Sequence, residues 1–115
     1  MSDFYKNIHN EAVAAGNKAA LEMFEKHGEP FFCGFAWVNV TDLKCTVTKE
    51  FLKVLDPDIV DKNYSGKGKT LFLTRYINIP WVYKQSMDIK ETFCRAYYNV
   101  LASYGIAGNV RTRAD

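Results

Sequence analysis

The stretch FFCGFAWVNV, residues Phe31–Val40, carries the strongest strand signal in the chain. Both of its alternating faces are apolar, which is typical of a central strand covered on each side. A turn is predicted directly after it, at Thr41 and Asp42. The rest of the chain should therefore be arranged around this strand as the middle of a sheet.

A long helix is predicted in front of this strand, over Ser2–His27, because a serine and an aspartate can cap its start and a glycine and a proline follow its end. Its apolar stripe is narrow and rich in small residues, with Gly16 near the middle. Small side chains let another backbone approach closely. Two interpretations stay open, a helix crossing in a dimer and packing of the helix on its own sheet.

Three shorter segments follow the central strand. A helix is predicted over Lys49–Leu55, capped by Thr46 or Thr48, and the composition of Asp61–Lys69 indicates a loop. Thr70–Ile77 (TLFLTRYI) predicts a second strand, with a face formed by alternate residues. The members of that face are Leu71, Leu73, Arg75 and Ile77.

The chain ends with a helix and a strand, predicted over Ser86–Tyr104 and Ile106–Arg113, with Gly105 between them. The predicted order is therefore α-β-α-β-α-β over a single domain, residues 1–115. This order predicts a small α/β or α+β fold. A long N-terminal helix and a C-terminal helix should pack with a central sheet of about three or more strands.

Composition limits the class of function. Apolar residues make up 48%, charged residues 24% and aromatic residues 15% of the chain, and the net charge is +2. Binding of long nucleic acid by bulk electrostatics is not indicated. The many rings suggest that some line a site or an interface. We expect no membrane span and no signal peptide, and three cysteines without CxxC spacing predict reduced thiols in a cytoplasm.

Catalytic motifs are hard to find in this sequence. There is no GxSxG or HExxH pattern, and His9 and His27 both belong to the first predicted helix. The acids Asp56, Asp58 and Asp61 flank a proline without EF-hand spacing, so they read as a solvated turn. The sequence therefore favours a protein that is not an enzyme and that needs no metal or cofactor.

The arginines point to a phosphorylated ligand. All four lie at or after Arg75, and a strand drawn with period 2 places Asn109, Arg111 and Arg113 on one face. The planar guanidinium suits bidentate contact with phosphate. The alternative is a solvated tail with ordinary surface charges, and Arg95 has its own explanation as an i,i+4 pair with Glu91.

A second group of candidates surrounds the predicted irregular segment Asn78–Gln85. Here Arg75 precedes Trp81, Tyr83 and Gln85, so that rings could stack on a base while the arginine meets a phosphate. Packing of the two rings around a proline-containing turn is the alternative. The sequence Gly66-Lys67-Gly68 lacks P-loop spacing and is interpreted as a connection.

Four stretches of the chain carry a family resemblance. They are NEAVAAG in the first helix, CGFAWVNV in the central strand, QSM at the start of the last helix and RTRAD at the end. Together with a Tyr-Gly-Ile turn before an arginine-bearing tail, they resemble the Thoeris anti-defence proteins of the first type. These are small phage proteins that sequester the nucleotide signals of bacterial immunity.

The resemblance implies sequestration without chemistry. Family members bind cyclic ADP-ribose isomers, and some bind cyclic oligonucleotides, in a pocket between the protomers of an oligomer in the infected cell's cytoplasm. Carried onto this chain, Arg111 and Arg113 would contact phosphates. Trp81 or Tyr83 would stack on the base, and the amides of two asparagines, Asn39 and Asn109, would read its edges. A single-stranded nucleic-acid-binding module and an oligomeric interaction protein remain the alternatives.

Overall fold

A computed structural model describes residues 2–27, 34–61, 68–79 and 87–114. Its elements in chain order are α1 (Ser2–His27), β1 (Gly34–Val40), α2 (Thr46–Lys53), β2 (Val60–Asp61), β3 (Lys69–Leu71), α3 (Met87–Ser103) and β4 (Gly108–Ala114), with 3₁₀ turns at Pro57–Ile59 and Thr74–Tyr76. Within the described ranges these elements form three helices and a four-stranded antiparallel sheet of order β2-β3-β1-β4. The predicted α+β fold with long first and C-terminal helices is confirmed.

The central strand of the sequence analysis is β1, an interior strand of the sheet. It pairs with β4 along its whole length, from Gly34 opposite Ala114 to Val40 opposite Gly108. On its other side, β3 reaches only the last three residues of β1. Strand alternation divides β1 between two sides of the sheet, with Val38 and Val40 in the hydrophobic core beneath the helices.

The core lies between the sheet and the pair α1 and α3, which pack on each other. Gly16 is the point of closest approach, because a Cβ atom there would lie 2.7 Å from ring atoms of the buried Phe93. Contact within the chain therefore explains this glycine. In the described part of the chain, no helix is long and apolar enough to cross a membrane.

The predicted strand Thr70–Ile77 is wrong beyond Leu71. The chain leaves the sheet and enters the 3₁₀ turn at Thr74–Tyr76, so that Leu73 and Ile77 are buried while Arg75 points to solvent. The turn is held by α1, whose Asn17 side chain donates to the carbonyl of Tyr76 at 2.9 Å and accepts from the amide of Asn78 at 2.7 Å. These long-range contacts replace the hydrogen bonds of a longer strand.

The start predicted for the short helix is also wrong. The helix α2 begins at Thr46, three residues before the predicted start, and Cys45 occupies its N-cap position without a side-chain capping bond. Thr48 is buried inside the helix rather than capping it. Burial of Thr48 and Phe51 on one side of α2 explains the shift, because tertiary packing outweighs the preference of threonine for a cap.

Candidate ligand-binding face

The two C-terminal arginines lie on the sheet surface opposite α1 and α3. Direct cross-strand partners in an antiparallel pair share a face, and the register pairs Arg113 with Phe35, Arg111 with Trp37 and Asn109 with Asn39. The structure thus confirms that the three polar residues of β4 share one face. We call this surface the arginine face. Its members are Phe35, Trp37, Asn39, Thr70, Phe72, Asn109, Arg111 and Arg113.

An aromatic cavity of about 310 Å³ lies on the arginine face. It is lined by Phe35, Trp37, Phe72 and Arg113. Phe35 and Phe72 are 50% and 38% exposed, whereas Trp37 is 6% exposed. Exposed rings around a concave space give a flat base surfaces on which to stack, and the guanidinium beside them can meet a phosphate.

The ring of Phe35 is held in place by a buried lysine of α3. The ammonium of Lys90 lies 4.9 Å from the ring centroid and donates a hydrogen bond to the carbonyl of Gly34 at 2.9 Å. Such a cation–π contact contributes about 0.5–2 kcal/mol, depending on how far the cation is desolvated. Because Lys90 is only 7% exposed, the ring is fixed from within the fold and presents its remaining surface to the cavity.

Arg111 is an exposed cation whose charge is uncompensated. Its Nε lies 3.4 Å from Oδ1 of Asn109, a long contact, and it forms no ion pair with any carboxylate of the described residues. Arg113 follows two residues later on the same face, so the two Cα atoms are about 6.8 Å apart along the strand. Two guanidinium groups at this spacing can hold two phosphate groups, or two sides of one, by charge-assisted hydrogen bonds.

Two buried oxygens lie beside the aromatic cavity. Asn39 of β1 pairs with Thr70 of β3, and both side chains are almost completely buried. Neither Oδ1 of Asn39 nor Oγ1 of Thr70 has a hydrogen-bond partner among the residues that the structure describes. A buried acceptor without a donor costs about 1–3 kcal/mol. A donor for the pair must therefore come from outside the described residues, for example from an ordered water.

A glycine sets the close approach of β4 at this end of the face. A Cβ atom on Gly108 would lie 2.2 Å from the carbonyl oxygen of Asn39, too close for any other residue without movement of the backbone. The absence of a side chain at Gly108 lets the neighbouring Asn109 lie directly opposite Asn39. The two amides are thereby placed together next to Thr70.

The other predicted site residues are not brought to this face by the described structure. Arg75 lies on its 3₁₀ turn and pairs with Asp56 at 2.9 Å and Asp58 at 3.9 Å, which also shows that these acids are part of an ion-pair cluster. Arg95 pairs with Glu91 on α3 at 2.6 Å, as predicted. The remaining residues of the predicted set lie outside the described ranges, namely Trp81, Tyr83 and Gln85.

The sequence analysis missed the aromatic residues of this face. A signal was present, because period 2 within FFCGFAWVNV places Phe35, Trp37 and Asn39 on the side opposite the core. This signal was not used because both sides of the strand were expected to be covered. Phe35 is half-exposed, so that expectation is wrong at the start of β1. Phe72 was assigned to a longer strand and had no distinguishing pattern.

Cys94 and His9 are engaged in packing between the helices and the core. Burial raises the pKa of Cys94 to about 12, so this thiol is protonated at neutral pH. His9 contacts the hydroxyl of Tyr97 at 2.8 Å between α1 and α3, away from the arginine face. Among the described residues there is no cluster of three histidine, cysteine, aspartate or glutamate side chains that could hold a metal ion.

No protein-family model matches the chain, and no curated protein or solved structure shows significant similarity to it. The resemblance to Thoeris anti-defence proteins therefore stays a prediction from sequence motifs.

Proposed function

We propose that this protein binds cyclic nucleotide signals of the cyclic ADP-ribose type on its arginine face and sequesters them without cleaving them. In this role it would act in the cytoplasm of an infected bacterium and block anti-phage defence. The observation that carries the proposal is the meeting of Arg111 and Arg113 with Phe35, Trp37 and Phe72 across β4, β1 and the end of β3.

The chemistry of such a ligand matches the arrangement. A compact dianion with a purine needs charge-assisted contacts for its phosphates and a stacking surface for its base. The aromatic cavity supplies the stacking surface, and the exposed amide of Asn109 can hydrogen-bond the edge of a base. A net charge of only +2 limits competing attraction to cellular nucleic acid.

The position of β4 supports a homo-oligomer. In the described part of the chain β4 pairs only with β1, so it forms an edge of the sheet over seven residues. An edge strand of this length offers backbone groups to a second copy. Pairing there would bring the arginines of two protomers to one continuous face, and the ligand pocket would then lie between protomers.

The proposal is tested by calorimetric titration of the purified protein with cyclic ADP-ribose isomers. We expect tight binding, a loss of at least a hundredfold in affinity for Arg111→Ala/Arg113→Ala, and no loss for Arg75→Ala. The last variant is the matched control, because Arg75 is an exposed arginine that pairs with Asp56 on its 3₁₀ turn and lines no cavity of the arginine face. Circular dichroism melting of each variant shows whether the fold is retained.

A second measurement separates sequestration from chemistry. After binding, the protein is denatured by heat and the released nucleotide is identified by mass spectrometry. Unaltered ligand supports a sequestering protein, and a cleaved product would show an enzyme instead. Equal affinity of the wild type and the double arginine variant would refute the assignment of the arginine face.

A single-stranded nucleic-acid-binding module is the second candidate. The observation in its favour is an antiparallel sheet with helices on one side and two exposed rings with two arginines on the other, because open sheets of this kind can stack successive bases. Such a module binds oligonucleotides more tightly as their length grows from two to about eight nucleotides. Affinity that is independent of length favours the cyclic nucleotide.

A further inference from the structure

A second cavity lies beside the short helix α2 and the start of β3. It has a volume of about 280 Å³ and is lined by Leu43, Lys49, Leu52, Lys53 and Lys69. Lys49 and Lys53 lie one turn apart on α2, whereas Lys69 is the first residue of β3. Three lysines from two elements thus line one concave space. We call it the lysine cavity.

The charge of the lysine cavity is largely uncompensated. Lys53 forms an exposed ion pair with Glu50 at 3.1 Å. Lys49 and Lys69 form no ion pair with the carboxylates in the described ranges, and the lining residues include no acid. Like charges one helical turn apart destabilise the helix by about 0.2–0.5 kcal/mol. A bound anion would remove this repulsion, and the two leucines provide an apolar wall beside it.

The lysine cavity is separate from the arginine face. In the sheet, Lys69 is paired with Val40 and alternates with Thr70, so its side chain leaves the sheet on the side of the helices. Thr70 belongs to the arginine face on the other side. A ligand in the lysine cavity therefore contacts neither Arg111 nor the aromatic cavity, and the inference does not depend on the proposed function.

We propose that the lysine cavity binds pyrophosphate groups, either as the free anion or as the diphosphate of a nucleotide. A pyrophosphate carries several charges in a small volume, which suits a cavity lined by three lysines from two elements. A single carboxylate would leave most of the charge uncompensated. The wall formed by Leu43 and Leu52 can accept the organic part of a nucleotide without a specific contact.

The test uses the full chain with Arg111→Ala/Arg113→Ala as background, so that ligand at the arginine face does not contribute. Inorganic pyrophosphate and ADP are titrated separately by calorimetry and by amide chemical shifts. We expect binding of pyrophosphate with shifts at Leu43 and Leu52, and a loss of at least tenfold on adding Lys49→Gln/Lys69→Gln. Equal shifts with ADP identify a nucleotide source, and shifts with pyrophosphate alone identify the free anion.

The matched control is Lys18→Gln/Lys26→Gln in the same background, which removes two exposed lysines of α1 and changes the net charge equally. It should bind pyrophosphate as the background protein does. An equal loss of pyrophosphate affinity in the control would show nonspecific attraction and overturn the proposal. A background protein that binds neither pyrophosphate nor ADP would also overturn it. Because the arginine pair is absent in every arm, failure here leaves the proposed function untouched.

Discussion

At the scale of single residues, His9 shows how a polar group is fixed within the helical layer. Its Nδ1 lies 2.8 Å from the hydroxyl of Tyr97, and its ring meets Tyr76 and Tyr97 edge-on. Burial lowers the pKa of His9 from its ordinary value of 6.5. The folded protein therefore holds a neutral imidazole between α1 and α3.

This geometry predicts a loss of stability in mild acid. The pKa of His9 is lower in the folded chain than in the unfolded chain, so the unfolded state binds the proton first as the pH falls. The free energy of unfolding should decrease below about pH 6.5, by at most about 1.4 kcal/mol per pH unit for this one group. Urea denaturation of the wild type and His9→Gln between pH 7.5 and 5.5 checks it. An equal slope in both proteins would contradict the role of His9.

Residue patterns revealed the polar half of the arginine face but not its aromatic half. Period 2 in β4 was sufficient to align Asn109, Arg111 and Arg113, because strand alternation is a local property of the backbone. The exposure of Phe35, by contrast, is not determined by the local sequence. It depends on the fact that β3 pairs only with the far end of β1 and leaves the start of β1 without a neighbour on that side within the described ranges.

At the scale of elements, the contact between α1 and α3 sets the distance between the two helices. The two helices cross with Gly16 against the ring of Phe93, which is fully buried. An added Cβ atom would meet three atoms of the ring at 2.7 to 2.9 Å. Because the ring is fully buried in a close-packed core, either the helices separate or the ring leaves its preferred position.

We therefore expect Gly16→Ala to destabilise the protein even though alanine favours a helix. Overpacking of a core costs about 1–3 kcal/mol, while the gain in helix propensity is at most about 1 kcal/mol. The net result should be a loss of about 1 kcal/mol, measured by urea denaturation. Phe93→Leu should cost less in the Gly16→Ala background than in the wild type. A stabilised Gly16→Ala protein would show that the helices are not in close contact at this point.

The order of the longer elements followed from the sequence, whereas the two-residue strand β2 and the end of β3 did not. Leu71, Leu73 and Ile77 fit a strand of period 2 as well as they fit a short strand followed by a turn. The choice is made by Asn17, which binds the backbone of Tyr76 and Asn78 from a position about sixty residues earlier in the chain. A tertiary hydrogen bond of this kind leaves no local pattern, so single-sequence reasoning extends the strand too far.

At the scale of the whole molecule, positive charge is concentrated rather than spread. A net charge of +2 is small, yet Arg111 on the arginine face and Lys49 and Lys69 at the lysine cavity have no carboxylate partner among the described residues, and the two regions lie on opposite sides of the sheet. Acidic residues elsewhere form ion pairs with arginines, such as Asp56 with Arg75 and Glu91 with Arg95. The long-range field is weak as a result, and recognition of an anion must come from direct contacts.

This distribution predicts a shallow salt dependence for ligands of the arginine face. Each phosphate contact with a single strand contributes about −0.7 to the slope of log K against log salt, so two arginines give about −1.4. Affinity should then fall by about sevenfold between 50 and 200 mM salt. Removing Arg111 alone should bring the slope close to −0.7 for an oligonucleotide. Fluorescence anisotropy measures the affinity for a short labelled oligonucleotide, and calorimetry measures the affinity for a cyclic nucleotide, in the same salt series.

A slope steeper than about −3 for the oligonucleotide requires basic contacts beyond these two arginines. That result would favour the single-stranded nucleic-acid module, because a compact dianion cannot engage so many cations at once.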